Sequence, residues 1–132
     1  MSLEKLKRFI DRIVAYLEGD ATVILFGSYA RGDYNLASDF DLVIISDNIK
    51  GNPLERTREL YMLNEELLPV DIIAYTREEF LKALENLSPS ALDAITEGKV
   101  LYDSGFYKIA KKKFEELKKK GLKKKRYWMI NP

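Results

Sequence analysis

Apolar side chains recur every three or four positions near the start of the chain, at Leu3, Leu6, Ile10, Ile13, Val14 and Leu17. That spacing predicts one buried face of an α-helix, with Gly19 as its stop. The rhythm then changes. Thr22-Val23-Ile24-Leu25-Phe26 is a short apolar run rich in β-formers, which predicts a buried strand ending where Gly27-Ser28 turns the chain. Phe40-Asp41-Leu42-Val43-Ile44-Ile45-Ser46 predicts a second buried strand, and the segment from Asp47 to Pro53 a loop. A helix is expected from about Leu54 to Leu68, with Leu60, Leu63 and Leu67 on one face and Pro69 as its end.

Val70 to Tyr75 reads as a third strand. Thr76 can cap the next helix, with Glu79 as its capping-box partner and Phe80, Leu81 and Leu84 as its apolar positions. Ser88-Pro89 opens another helix that runs through Ile95 to Gly98. Val100 to Tyr102 fits a short edge strand, and Phe106, Ile109, Ala110, Phe114 and Leu117 a last helix before Gly121. Strands alternating with helices predict an α/β or α+β domain, a small mixed sheet flanked by helices around one core. One domain over residues 1–132 is expected, with a basic C-terminal helix and tail from about residue 104.

Composition narrows the chemistry. No apolar run approaches the roughly 20 residues that span a bilayer, and the N-terminus lacks a secretory pattern, so a cytoplasmic protein is expected. The chain has no cysteine and no histidine. Thiolate zinc sites, cysteine nucleophiles and Ser-His catalysis are therefore excluded. Acid–base and metal chemistry fall to Asp and Glu, a ligand set that suits magnesium or manganese. The net charge of +1 hides an asymmetry. Residues 108–126 hold eleven Lys/Arg against Glu115 and Glu116, a local +9 that leaves −8 on the remainder. Such a stretch is either a solvated helix face with a frayed end or a contact for RNA, nucleotide or an acidic partner.

Three groups of residues carry candidate chemistry. In Ser38-Asp39-Phe40-Asp41, residues two apart on a strand share a face, so Asp39 and Asp41 are expected side by side. Adjacent carboxylates repel unless a cation or proton lies between them. An EF-hand needs Gly and Glu where Ile44 and Lys50 stand. A haloacid-dehalogenase-type phosphatase has its Asp-x-Asp after the hydrophobic strand, whereas here the hydrophobics follow. A pair that merely bounds a turn stays open at this point.

The second group is Gly27-Ser28-Tyr29-Ala30-Arg31-Gly32, directly after a strand. Gly27 permits close backbone approach, and Ser28 can begin a short helix whose N–H groups face an anion. The pattern is neither Walker A nor Rossmann. Arg31 could meet a phosphate or brace the loop on an acidic residue. The third is Asp71, a lone charge among Val70, Ile72 and Ile73 that needs a partner. If its strand lies beside residues 40–46, it can join Asp39 and Asp41.

Together these residues resemble the nucleotidyltransferase superfamily of polymerase-β-like folds, whose signature is Gly-Ser, a loop, Asp-x-Asp and a third Asp on a neighbouring strand. More narrowly, Gly27 to Gly32 followed by Ser38-Asp39-Phe40-Asp41-Leu42 looks like the minimal nucleotidyltransferase family. The likeness covers roughly residues 22–75, and Glu97 to Asp103 also looks family-like. It implies a nucleotidyltransferase fold with Asp39 and Asp41 holding two magnesium ions (manganese being a possible substitute). Asp71 would complete the metal site and take the proton of the attacking hydroxyl. Gly27 and Ser28 would hold the β- and γ-phosphates, with Arg31 and Ser38 as further nucleotide-binding positions. The same resemblance implies partners. ATP would be the donor, and the acceptor a tyrosine of a HEPN-domain ribonuclease toxin, which makes the chain an antitoxin. Two alternatives stand beside it: transfer to a small hydroxyl compound such as an aminoglycoside, and an antitoxin that acts by binding alone. No residue pattern names an oligomer interface.

Overall fold

The computed structural model describes residues 3–35, 38–124 and 128–130. Helix α1 (Leu3–Tyr16) leads to β1 (Thr22–Phe26), one turn of helix α2 (Ser28–Arg31), β2 (Phe40–Ile45) and α3 (Pro53–Tyr61). There follow β3 (Val70–Tyr75), α4 (Arg77–Glu85), α5 (Pro89–Glu97), β4 (Lys99–Asp103) and α6 (Phe106–Lys119). The pair β5 (Leu122–Lys124) and β6 (Trp128–Ile130) comes last. The first four strands form one mixed sheet in the order β3-β2-β1-β4. β2 runs parallel to β3, with α3 as the crossover, while β1 is antiparallel to both β2 and β4. A small mixed sheet flanked by helices is what the alternating pattern predicted.

Side-chain alternation gives the sheet two apolar faces. Val23, Leu25, Phe40, Leu42 and Ile44 pack with Phe9 and Ile13 of α1 and Leu60 of α3. Ile24, Val43 and Ile45 point the other way, against Phe80 and Leu84 of α4, Leu92 and Ile95 of α5, and Phe106 and Phe114 of α6. Each such side chain contributes about 1.5–3 kcal/mol on full burial, so the central strands, covered on both sides, anchor the site. Gly98 brings α5 onto β1. A Cβ there would lie 2.4 Å from Ile24 Cγ2 and 2.2 Å from the Ala94 carbonyl oxygen.

The capping box of Thr76 and Glu79 is present at α4, and Asn52 with Glu55 makes a second one at α3. Three expectations need correction. Helix α3 ends at Tyr61 rather than near Leu68. The Asn64 side chain accepts from the Leu68 N–H (2.9 Å) and donates to its carbonyl (2.8 Å), which holds a turn that competes with the helix. Leu67 consequently adopts φ 54° and is 87% exposed, not on a buried face. Ile109 is 54% exposed as well, because α6 buries Phe106, Ala110, Phe114 and Leu117 and leaves it on the shoulder of that stripe. Leu3 is exposed at the start of α1.

At the end of the sheet where β2 and β3 finish, one carboxylate ties several chain ends together. Asp20 accepts from the Ser46 hydroxyl (3.2 Å), the Asp47 N–H (3.1 Å) and the Ser104 hydroxyl (3.5 Å), and it pairs with Arg77. Nearby, Asp103 accepts from the Thr22 hydroxyl (2.8 Å) and from the N–H groups of Gly105 and Tyr107, which fixes the start of α6. Among the described residues, no helix is long and apolar enough to cross a membrane.

Candidate functional site

The candidate residues gather at the opposite end of the sheet, where β1 ends and β2 and β3 begin. Asp41 is the second residue of β2 and Asp71 the second of β3, and the parallel register sets them directly opposite each other. The strand adjacency on which Asp71 depended is therefore present. Asp41 also faces Phe26 across the antiparallel β1–β2 ladder, which places it one residue from Gly27. Asp39 lies just before β2, exposed, so strand alternation reaches Phe40 and stops short of it. Asp41 is half-buried, while Asp71 is exposed.

The electrostatics follow from this crowding. Burial, then the charge of Asp71, then that of Asp39, push the Asp41 carboxyl above the usual carboxylate range, and Arg31 opposes them. Among the described residues no three acidic side chains converge as they stand on one coordination point. The arrangement is instead a pair in register with a third carboxylate beside it, short of positive charge.

Gly27 carries φ 74° and ψ −153°, a backbone open to glycine and costly for other residues. The turn it makes starts α2, which Gly32 closes in the left-handed conformation at φ 86°, its N–H bonded to the Ser28 carbonyl (2.9 Å). Two glycines thus fold Ser28–Arg31 tightly across the end of β1. Ser28 is half-buried. Arg31 braces the loop: its guanidinium reaches Asp33 (3.2 Å) and Glu97 at the end of α5 (3.5 Å) while remaining largely exposed. Ser38 serves the loop too. Its hydroxyl accepts from the Asn35 N–H (3.0 Å), and its own N–H donates to the Asn35 carbonyl (3.1 Å).

Two features escaped the sequence reading. Glu97 enters the site through Arg31, and only its place in a family-like stretch hinted at it. The second is a ladder of rings. Tyr34 stacks flat on Tyr29 (centroids 4.4 Å apart, planes 9° apart), and Tyr29 leans on buried Phe40 (4.3 Å). This ladder walls a groove of about 960 Å³ on the sheet face that Phe40 and Leu25 share. Three aromatics around the Gly-Ser and Asp-x-Asp motifs were the available signal.

Much of the described basic stretch lies on α6, where Lys113 pairs with Glu85 (2.5 Å) and Lys118 with Glu115 (3.9 Å), as a solvated helix face does, while Lys123 and Lys124 belong to β5. Residues 125–127, which include Arg126, lie outside the described residues.

With this geometry in view, the nucleotidyltransferase domain family model matches residues 3–127. The chain belongs to that family. As an enzyme class it is a nucleotidyltransferase, as the resemblance implied. A Methanocaldococcus jannaschii protein described as a candidate protein adenylyltransferase is 45% identical over 49 residues, 36% of this chain and 49% of that protein. The match thus spans about half the length of that relative. Solved structures share the fold at low identity. A candidate nucleotidyltransferase from Sulfolobus solfataricus superposes with a TM-score of 0.56 at 18% identity, covering 77% of this chain and 80% of its own. A toxin–antitoxin MntA–HpeT mutant gives 0.58 at 17% identity, covering 90% and 88%. The nucleotidyltransferase fold is common to all of them.

Proposed function

We propose that this nucleotidyltransferase moves AMP from ATP onto a tyrosine of a HEPN ribonuclease toxin and so acts in the cytoplasm as an antitoxin. The observation that carries the chemistry is the register of Asp41 against Asp71, with Asp39 beside them and Gly27 at the turn. The acceptor assignment is supported by the relative described as a protein adenylyltransferase and by the family resemblance of the Gly27–Gly32 and Ser38–Leu42 motifs.

The residues fit a divalent cation. Burial and the charges of Asp71 and Asp39 disfavour the ionised Asp41 carboxylate, Arg31 offsets only part of this, and carboxylate oxygens suit magnesium or manganese. Magnesium is typically held by one or two carboxylates plus substrate phosphates rather than by a closed protein cage. The family generally works with divalent metals, and in this reading Asp39 and Asp41 hold two magnesium ions with Asp71 on the acceptor side. When bound, the metal neutralises the triphosphate and the charge that develops on the reacting oxygens.

The chain does the rest. Gly27 leaves room for the β- and γ-phosphates beside Asp41, Ser28 holds them, and Ser38 keeps the loop before Asp39 in place. Arg31 offsets part of the carboxylate repulsion. Asp71, exposed and in register with Asp41, accepts the proton of the incoming tyrosine hydroxyl. The tyrosine oxygen bonds to the α-phosphorus, the bond from that phosphorus to the bridging oxygen breaks, and pyrophosphate leaves.

The test is to incubate the protein with α-labelled ATP, magnesium and the cognate HEPN protein. Label on the toxin, lost in Asp39→Asn and Asp41→Asn, is expected. Neutralisation of the toxin that persists in both variants without label would replace transfer by binding alone.

A further inference from the structure

We propose that the turn between α3 and β3 is the surface on which the acceptor protein docks, with Leu67 as the side chain that anchors it. This rests on the transfer reading above and adds to it how the acceptor is held beside Asp71.

Leu67 is an unusual leucine. Its side chain is 87% exposed, and Met62, earlier in the same turn, is 71% exposed. Its backbone is left-handed at φ 54°, a region that branched apolar residues rarely adopt. Leu87 shares that conformation at φ 59°, but it packs against the core beside α4 and α5. Leu67 has no such return for its strain. The turn around it is nevertheless fixed at four points. Arg12 Nε donates to the Leu63 carbonyl (3.0 Å), and Arg8 pairs with Glu66 (2.6 Å). Asn64 grips both backbone groups of Leu68, and the Pro69 carbonyl accepts from the Phe40 N–H (2.8 Å). A backbone already held in place has little freedom to lose when a partner covers its exposed side chain.

The position of the turn selects the occupant. Phe40 stands between Asp39 and Asp41, so its bond to Pro69 ties the turn to the carboxylate end of the sheet. Leu67 lies four residues before exposed Asp71, a span of at most about 14 Å of chain. One partner covering roughly 800 Å² of this surface would reach both. A projecting side chain cannot enclose a small hydroxyl compound; it fills a hollow in a larger molecule. That favours a protein as acceptor. Glu65 and Asp71, exposed on either side of Leu67 in the chain, call for a basic rim around the hollow. A ribonuclease supplies such a rim, because it must hold an anionic substrate. With Leu67 seated, Asp71 lies within the covered area and can meet the tyrosine hydroxyl.

Calorimetry of the protein with its cognate HEPN protein tests this, with label transfer from ATP followed on the same samples. Leu67→Asn removes the apolar side chain and suits the left-handed backbone, so the turn should keep its shape. It should weaken binding of the HEPN protein by about tenfold or more, as loss of an interface anchor does, and leave the affinity for magnesium-ATP unchanged. Leu67→Met keeps an apolar side chain and should retain most of the affinity. Leu54→Gln is the control: Leu54 is 70% exposed at the opposite end of α3, and its loss should not weaken the complex. Undiminished partner affinity in Leu67→Asn, an equal loss in Leu54→Gln, or a parallel loss of ATP affinity overturns the proposal. A wild-type protein that does not bind the HEPN protein overturns both the proposal and the antitoxin function. Binding that depends on Leu67, with no label reaching the HEPN protein even from the wild type, would refute transfer and leave the docking surface standing.

Discussion

Asp41 and Gly27 are in such close contact that a Cβ on Gly27 would lie 2.2 Å from the Asp41 Oδ2 and 3.3 Å from its Cβ. The absence of a side chain at one position thus defines where the carboxylate at the other can stand. Gly27→Ala must either rotate the Asp41 carboxyl away or move the turn, and φ 74° strains the new residue as well. We expect a stability loss of about 1–3 kcal/mol from the backbone alone. The transfer rate should fall by about 100-fold or more, as a misplacement near 1 Å does. Chemical denaturation and pyrophosphate release measure the two separately. A variant with full activity would show that Asp41 does not need this position.

Replacing the carboxylate itself should separate function from stability in the opposite sense. Burial, Asp71 and Asp39 raise the Asp41 pKa, so the folded state favours its protonated form. A raised pKa adds stability below the unfolded value, and that gain is lost as pH rises through the folded one. At neutral pH and without metal, the charge is therefore a cost. Asp41→Asn should leave the metal-free protein as stable as the wild type or up to about 1 kcal/mol more stable, while the transfer rate falls by about a thousandfold. Destabilisation in the absence of metal would contradict the repulsion.

Much of this site could be read before the fold was known, because the signals were local. Alternation placed Asp41 in a strand, and a lone charge marked Asp71 in an apolar run. What alternation could not supply is the pairing of β2 with β3, which is tertiary and decides whether the two acids meet. The failures have a different origin. Leu63 and Leu67 continue the helical spacing of α3, yet Asn64 grips Leu68 at both backbone groups and ends the repeat. Hydrophobic periodicity does not register a side chain competing for the backbone. Ile109 was misjudged because small Ala110 takes the central place on the buried stripe of α6. The Tyr29–Tyr34 stack joins a helix to a loop, where no periodicity applies.

The far end of the sheet predicts the response to acid. Burial alone would raise the pKa of Asp20, but the Asp47 N–H, Arg77 and Ser46 outweigh it and hold the value below the usual carboxylate range. Asp103 behaves in the same way: burial is outweighed by the Thr22 hydroxyl and the N–H groups of Gly105 and Tyr107. For Glu79 the Thr76 N–H leads, burial opposes, and Arg56 adds to the lowering. Depressed carboxylates give stability that is present above their unfolded pKa and lost as pH falls through the folded one. Stability should therefore hold near neutrality and drop below about pH 4. Asp20→Ala, which leaves Arg77 and the Asp47 N–H without this acceptor, should cost about 2 kcal/mol at pH 7 and flatten the acid limb. Urea titrations between acid and neutral pH check both, and an acid limb unchanged by the substitution would remove Asp20 from the account.

Trp128 gives the hairpin at the end of the chain a measurable role. Its indole Nε1 donates to Asp93 Oδ1 on α5 (3.0 Å), and its ring meets Phe114 of α6 edge-on at 6.1 Å. One side chain thus joins β6 to two helices on the face of the sheet that carries Asp41. Trp128→Ala removes the ring contact and leaves the Asp93 carboxylate without this donor, at an expected cost of about 1–2 kcal/mol for a partly buried indole. As the chain has one tryptophan, its fluorescence reports the surroundings of this side chain. Asp93→Ala should shift the emission to the red at a smaller cost in stability, because the ring then loosens toward water. Since the Trp128–Asp93 bond and the Trp128–Phe114 contact do not involve Asp39, Asp41 or Asp71, transfer measured well below the melting temperature should persist in both variants. Loss of transfer in a fully folded Trp128→Ala protein would mean that the hairpin takes part in the reaction, directly or by holding the acceptor.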